Sequence, residues 1–271
     1  MRDTNSYSIT STYKMKLTGN LKALETSINI YRDALRMLIP IINNNWDLLS
    51  EYEFTNQKYN CIGNWIHNTK EHQALYNFDE QFPKFPSYLR RSVVAQALGI
   101  VSSYRSNLAN WENDPKGQAP QLSFTHYAYP AYYKKNLFRN FDPIRQTIEL
   151  KVFKNGDWVF EVYQLKTSDC GYYLTHLTGK KQNVPVIRKK ERRFYAAFSY
   201  EEEVSLVKEE SISKICAVDL GLNTDATCTI MGQDGTVYAR KFISFSKEHD
   251  RLNTQLGRIK RNQKRGSLHN K

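Results

Sequence analysis

The apolar residues of this chain change their spacing twice, and that change limits the fold more than any other feature. Over residues 7–17, Tyr7, Ile9, Tyr13, Met15 and Leu17 share one face at a period of two, as in a strand. From Thr18 the period lengthens. Leu21, Leu24, Ile28, Tyr31, Leu35 and Leu38 step by three and four, as on an amphipathic helix. Pro40 is expected to end or kink that helix, since it lacks an N–H and its ring crowds the preceding turn. Pro86-Ser87-Tyr88-Leu89 reads as another helix start. Leu89, Val93, Ala97, Ile100, Tyr104, Leu108 and Trp111 then form one face, and Asn113-Asp114-Pro115-Lys116-Gly117 closes it with loop chemistry. Trp46, Leu48, Leu49, Trp65 and Ile66 indicate short helices in between, so 19–114 reads as a helical block. Period two then returns. Residues 147–152 alternate, Asn155-Gly156 signals a hairpin turn, and 158–162 run back. Residues 184–187 and 194–200 are expected as further strands, with Phe194, Ala196 and Phe198 on one face. A strand, a helical block, then strands predicts an α+β fold, with a β-barrel interrupted by a helical insertion.

Chemistry concentrates after the acidic segment 201–213, which reads as a boundary. Ile215-Cys216-Ala217-Val218-Asp219-Leu220-Gly221 is expected to be a buried strand with a carboxylate set into it. An unpaired buried carboxylate is costly, so the charge should meet a cation, usually a metal, or sit at a strand end facing solvent. Residues 226–231, the turn Gly232-Gln233-Asp234-Gly235 and residues 236–243 complete a three-strand antiparallel meander, and a basic helix follows. Asp225 and Asp234 are most simply turn residues. A strand bearing Asp, a glycine turn and a hairpin is how RNase H-like nucleases begin. Such sites hold two Mg²⁺ about 3.5–4 Å apart among several carboxylates. Actin-like ATPases also carry Asp-x-Gly on a first strand, but no Gly-rich phosphate cradle is visible.

The charge balance points to a polyanion. Thirty-nine Lys and Arg face 27 Asp and Glu, a net +12, and half of that excess lies after residue 246. There Lys247, Arg251, Arg258, Lys260, Arg261, Lys264, Arg265 and Lys271 face only Glu248 and Asp250. A second dense run is Arg188, Lys189, Lys190, Arg192 and Arg193. A lipid-binding helix needs a strong apolar face, and the tail offers only Leu252, Leu256, Ile259 and Leu268, so nucleic acid is favoured over membrane. No apolar run is long enough to span a bilayer. Tyr127, Tyr129, Tyr132 and Tyr133 beside Lys134 and Lys135 could stack on bases or pack on the barrel. Cys61, Cys170, Cys216 and Cys228 form no C-x-x-C pair, so no zinc site is expected in this chain. They read as reduced thiols of a cytoplasmic protein without a secretory signal, Cys216 and Cys228 as small core side chains.

Residues 217–227, Ala-Val-Asp-Leu-Gly-Leu-Asn-Thr-Asp-Ala-Thr, followed by Gly232-Gln233-Asp234-Gly235 and Phe242, resemble the first RuvC motif of the TnpB family. These are insertion-sequence-encoded, RNA-guided DNA endonucleases related to type V CRISPR effectors. Pro86-Ser87-Tyr88-Leu89-Arg90-Arg91 with Pro120, the stretch Tyr129 to Arg139, and residues 188–200 are similar to the family's recognition helices and wedge strands. The resemblance implies a first wedge strand at 1–18, a helical recognition lobe at 19–114, the remaining wedge β-barrel at 115–210 and the start of a RuvC-like domain at 211–271. It implies that Asp219 is a catalytic residue and one ligand of a two-Mg²⁺ site. It implies guide RNA and target DNA as partners, held by Arg188, Lys189, Lys190, Arg192, Arg193, Lys134, Lys135, Arg258, Lys260, Arg261, Lys264 and Arg265. No small-molecule substrate is evident. The family's later Glu, zinc ribbon and final Asp have no counterpart here. The resemblance therefore implies an N-terminal portion that is inactive alone, or else a non-catalytic guide-RNA/DNA-binding module.

Overall fold

The computed structural model describes residues 6–70, 72–123, 128–205, 213–221 and 224–264. The chain is α+β and divides into two compact units, one of Ser8–Glu203 and one that joins the residues up to Tyr7 to those from Val204 onward.

Strand β1 (Ser6–Thr18), which lies in the larger unit from Ser8 on, leads into helix α1 (Leu21–Asn44). Asn20 caps the helix, its side chain accepting the Ala23 N–H at 3.2 Å. Leu24, Ile28, Tyr31, Leu35 and Leu38 are all buried, as their spacing predicts. Of the two outcomes expected at Pro40, the helix end does not occur: α1 continues through it to Asn44. Leu38, Ile39 and Ile42 around it are fully buried, and that burial offsets the roughly 3 kcal/mol that a mid-helix proline costs. Helices α2 (Trp46–Ser50), α3 (Thr55–Ile66), α4 (Phe78–Gln81) and α5 (Ser87–Asn113) complete the helical block.

Next come β2 (Phe138–Asp142), β3 (Thr147–Lys154), β4 (Asp157–Leu165), helix α6 (Thr167–His176), β5 (Lys181–Gln182), β6 (Val186–Lys190) and β7 (Arg193–Ser205). With β1 they form a curled seven-stranded half-barrel in the order β2-β3-β4-β1-β7-β5, with β6 also paired to β7. The β3–β4 turn has φ of 52° at Asn155 and 83° at Gly156. Positive φ at both positions is what a two-residue hairpin of Asn-Gly sequence supplies.

Helix α1 packs against α5 and against β3. Leu24, Leu35, Val93, Ala97, Ile148, Val152 and Phe198 belong to one continuous core that joins helices to sheet. One polar bolt crosses it. The buried Ser27 Oγ donates to the Ala23 carbonyl at 2.8 Å and accepts the Phe153 N–H at 2.7 Å.

The second unit carries β8 (Lys214–Asp219), β9 (Ala226–Gly232), β10 (Val237–Ile243) and helix α7 (Ser246–Lys264). The strands form the expected antiparallel meander in the order β10-β9-β8. The expected burial does not occur. Ile215, Val218, Met231 and Phe242 are exposed, as is Cys216, and Cys228 is only half-buried rather than in a core. Apolar alternation marks residues suited to a covered sheet, but coverage depends on what packs there, and among the described residues β8 stays open along its length. Residues 206–212 of the expected boundary segment lie outside the described residues.

Candidate functional site

Asp219 is the last residue of β8, opposite Thr227 of β9, which in turn faces Phe242 of β10. Directly opposed residues share a face, so Asp219, Thr227 and Phe242 line one side of the sheet at its end. The carboxylate is exposed rather than enclosed in an apolar run. This matches the strand-end alternative left open by the sequence. Gly221 follows two residues later. A Cβ on it would lie 2.9 Å from the Thr224 carbonyl oxygen, so only glycine fits without a shift. Leu222 and Asn223 lie outside the described residues. Among the described residues no three His, Cys, Asp or Glu side chains gather into a metal-holding group. Asp219 offers one hard oxygen ligand of the kind Mg²⁺ takes, not a complete site.

Asp225 does more than turn the chain. Its carboxylate accepts the Phe245 backbone N–H at 2.5 Å and lies 2.6 Å from His249 Nε2. Phe245 immediately precedes α7, and His249 sits in the first turns of that helix. Asp225 therefore anchors the start of α7 to the start of β9. The Phe245 N–H, and then His249, hold its carboxyl below the usual aspartate value. Asp234 is the turn residue expected, accepting the Thr236 N–H at 3.0 Å and its hydroxyl at 2.8 Å.

The basic run 188–193 becomes the β6–β7 hairpin. Arg188 pairs with Tyr195 and Lys190 with Arg193, so Arg188, Lys190 and Arg193 share one face, and Arg192 lies in the turn. All four are exposed. Lys189 points to the other face, where Glu25 forms an ion pair with it and the Phe194 ring lies beneath its ammonium. It is a structural cation, unlike its neighbours. Lys134 and Lys135 are exposed, Lys135 with φ of 68° in a turn. The tyrosines beside them are not a free stacking platform. Tyr132 is buried with its hydroxyl donating to the Lys151 carbonyl at 3.0 Å, and the Tyr129 hydroxyl donates to the Lys189 carbonyl. Tyr127 lies outside the described residues. Arg258, Lys260 and Arg261 are exposed on α7, Lys264 is its last residue, and Arg265 is outside the described residues.

Residues 9–154 match the model of the Aq_aa04 family. The chain belongs to the Aq_aa04 family. No curated protein matches it. The Aq_aa04 match runs from β1 through the helical block to the end of β3, so the segment bearing Asp219 lies outside it.

Within the Aq_aa04 region is a polar cluster that the sequence reading missed. Asp79 lies 2.7 Å from His67 Nδ1, and its other oxygen accepts Arg90 Nη1 at 2.8 Å. It also accepts the Asn68 N–H at 3.2 Å. Arg90 Nη1 is 2.6 Å from the same His67 Nδ1. One ring nitrogen cannot donate and accept at once. Nδ1–H donates to Asp79 in one tautomer, and bare Nδ1 accepts from Arg90 in the other. Burial draws the Arg90 guanidinium below its ordinary value, and Asp79 opposes that shift. The three residues are distant in sequence, so no local motif announces them. A legible sign nearby is Asn56, Asn60 and Asn64, an asparagine on every fourth residue of α3.

Proposed function

We propose that the chain is the amino-terminal part of a TnpB-like RNA-guided DNA endonuclease acting in the cytoplasm. In this reading the half-barrel is the wedge domain, α1–α5 are the inserted recognition helices, and β8–β10 with α7 begin a RuvC-like nuclease domain. The observation that carries it is the position of Asp219. It ends the first strand of an antiparallel meander, a close-packed glycine follows, and a basic helix comes after the hairpin. Mg²⁺, when bound, supplies activation of water and stabilisation of the leaving 3′ oxygen of a phosphodiester. In a complete site Asp219 would supply one carboxylate ligand to such an ion. Gly221 lets the Thr224 carbonyl approach the backbone directly behind it. Asp225 fixes the start of α7, whose Arg258, Lys260 and Arg261 meet phosphates. The β6–β7 hairpin cations hold guide RNA or the RNA–DNA heteroduplex by its backbone, where charge density matters more than residue identity.

One carboxylate does not make a two-metal site. The absence of a ligand cluster among the described residues favours a second reading of this chain taken alone, a guide-RNA/DNA-binding module without chemistry. No helix among the described residues is long and apolar enough to cross a membrane.

Two measurements separate these readings. The purified chain should bind duplex RNA with an affinity that falls steeply with salt, and a flat response overturns both. In a protein that joins this segment to the remaining carboxylates, Asp219→Ala should abolish Mg²⁺-dependent DNA cleavage and leave RNA binding intact. Cutting that survives the substitution removes Asp219 from the active site.

A further inference from the structure

We propose that the groove between α3 and α5 binds a nucleotide, with the phosphate on Arg90 and Arg91 and the base against the amides of Asn60 and Asn64. The groove encloses about 790 Å³, within the roughly 300–1,000 Å³ of small-molecule sites. Among the described residues no acidic side chain lines it, whereas both arginines do. Its ligand should therefore be an anion.

Arg90 is built for such a ligand. Its side chain is only 16 % exposed, and Nη1 is held by Asp79 and His67. The Nε and Nη2 donors have no protein partner among the described residues. That edge of a guanidinium is the fork that grips a phosphate through two parallel hydrogen bonds. Because Asp79 already orients Arg90, little side-chain freedom is lost on binding. Arg91 is exposed, lies over the Tyr88 ring, and has no carboxylate partner among the described residues.

The opposite wall calls for more than phosphate. Asn60 and Asn64 are four residues apart on one face of α3, and neither side-chain amide is hydrogen-bonded to protein among the described residues. Each carboxamide carries donors and an acceptor, the mixture found along a base edge and absent from a simple dicarboxylate. Tyr133 adds an aromatic ring to the lining. Between the asparagines sits Gly63, a residue that weakens a helix interior. A Cβ there would meet nothing within 4 Å, so packing does not demand the glycine. Its effect is to leave the groove open where a ligand would lie.

The site lies within the Ser8–Glu203 unit and needs no metal, so it stands whether or not Asp219 is a nuclease ligand. The test is calorimetric titration of the 271-residue chain with AMP, CMP, GMP and UMP, with the matching nucleosides and inorganic phosphate, and with short single-stranded oligonucleotides. At least one nucleotide should bind, with nucleoside and phosphate each weaker by about tenfold or more. Gly63→Leu, which fills the groove, and Arg91→Gln should each weaken binding by about tenfold without lowering the melting temperature. Binding of the mononucleotides identifies a free nucleotide as the ligand. Binding of oligonucleotides alone, with the same sensitivity to both variants, identifies a nucleotide within a strand. The proposal is overturned if neither form binds, if phosphate binds as tightly as the nucleotide, or if both folded variants bind like the parent.

Discussion

The β6–β7 hairpin makes a sharp prediction because its five cations are not equivalent. Arg188, Lys190, Arg192 and Arg193 are exposed, whereas Lys189 is paired with Glu25 on the opposite face. Each phosphate contact adds about 0.7–0.9 to the slope of log affinity against log salt. Replacing the four exposed cations by Gln should therefore lower the slope for duplex RNA by about 3. Between about 50 and 200 mM salt, that difference amounts to roughly 60-fold in affinity. The pair Lys189→Met with Glu25→Gln, which leaves the net charge unchanged, should keep the slope of the parent. Fluorescence anisotropy at four or more salt concentrations reads both. A slope that falls as much for the Lys189–Glu25 double variant as for Arg188→Gln alone would refute the division of the hairpin into one structural and four phosphate-facing cations.

Other outcomes follow from individual contacts. Ser27→Ala strands the Phe153 N–H beside a buried position, and should cost about 1–3 kcal/mol, lowering the melting temperature by about 2–10 °C in a scanning calorimeter. Gly63→Ala meets no neighbour and should raise stability by about 0.5–1 kcal/mol through helix propensity, read by urea unfolding. Asp225→Ala removes the anchor of α7, so amide exchange in that helix should quicken while the Ser8–Glu203 unit is unaffected. Because the Asp225 carboxyl is held below its usual value by the Phe245 N–H, its contribution is complete above about pH 4. That contribution is lost as pH falls through the depressed native value. Helicity of α7 in the parent should drop in acid over that range and converge with the variant, and an acid response unchanged by Asp225→Ala would remove the anchor role.

The elements were legible wherever one residue set answered to one period. The step pattern from Leu21 to Leu38 and from Leu89 to Trp111 became α1 and α5, and Asn155-Gly156 became the β3–β4 turn. β2 and α6 carry no such signal. Phe138–Asp142 barely alternates, and Thr167–His176 buries only Cys170, so neither shows a periodic face. At Pro40 the local rule allows an end or a kink, and burial of the flanking Leu38, Ile39 and Ile42 keeps the helix running. The hairpin cations were visible as a run, but the separation of Lys189 was not, because it depends on Glu25, far away in sequence. The cluster of His67, Asp79 and Arg90 was hidden for the same reason.

The β8–β10 sheet shows a different limit. Alternating apolar residues state what a strand requires, not what meets that requirement. Ile215, Met231 and Val237 lie opposite one another across the three strands and are all exposed. Leu252, Leu256 and Ile259 likewise share one exposed face of α7. Area arguments make each such side chain more stable when covered, by about 1.5–3 kcal/mol if fully buried. The same reasoning changes the meaning of Asp219. In a buried strand its charge would have required a cation to exist at all. At an exposed strand end it needs none, so Mg²⁺ binding there rests on further ligands being brought to it and not on a penalty that the metal relieves. The decisive measurement is therefore of metal affinity rather than stability. Asp219→Asn should leave the unfolding of this chain unchanged with or without Mg²⁺, and should weaken Mg²⁺ binding only where the other carboxylates are present. A clear loss or gain of stability on that substitution alone would mean that the carboxylate is held by something other than solvent.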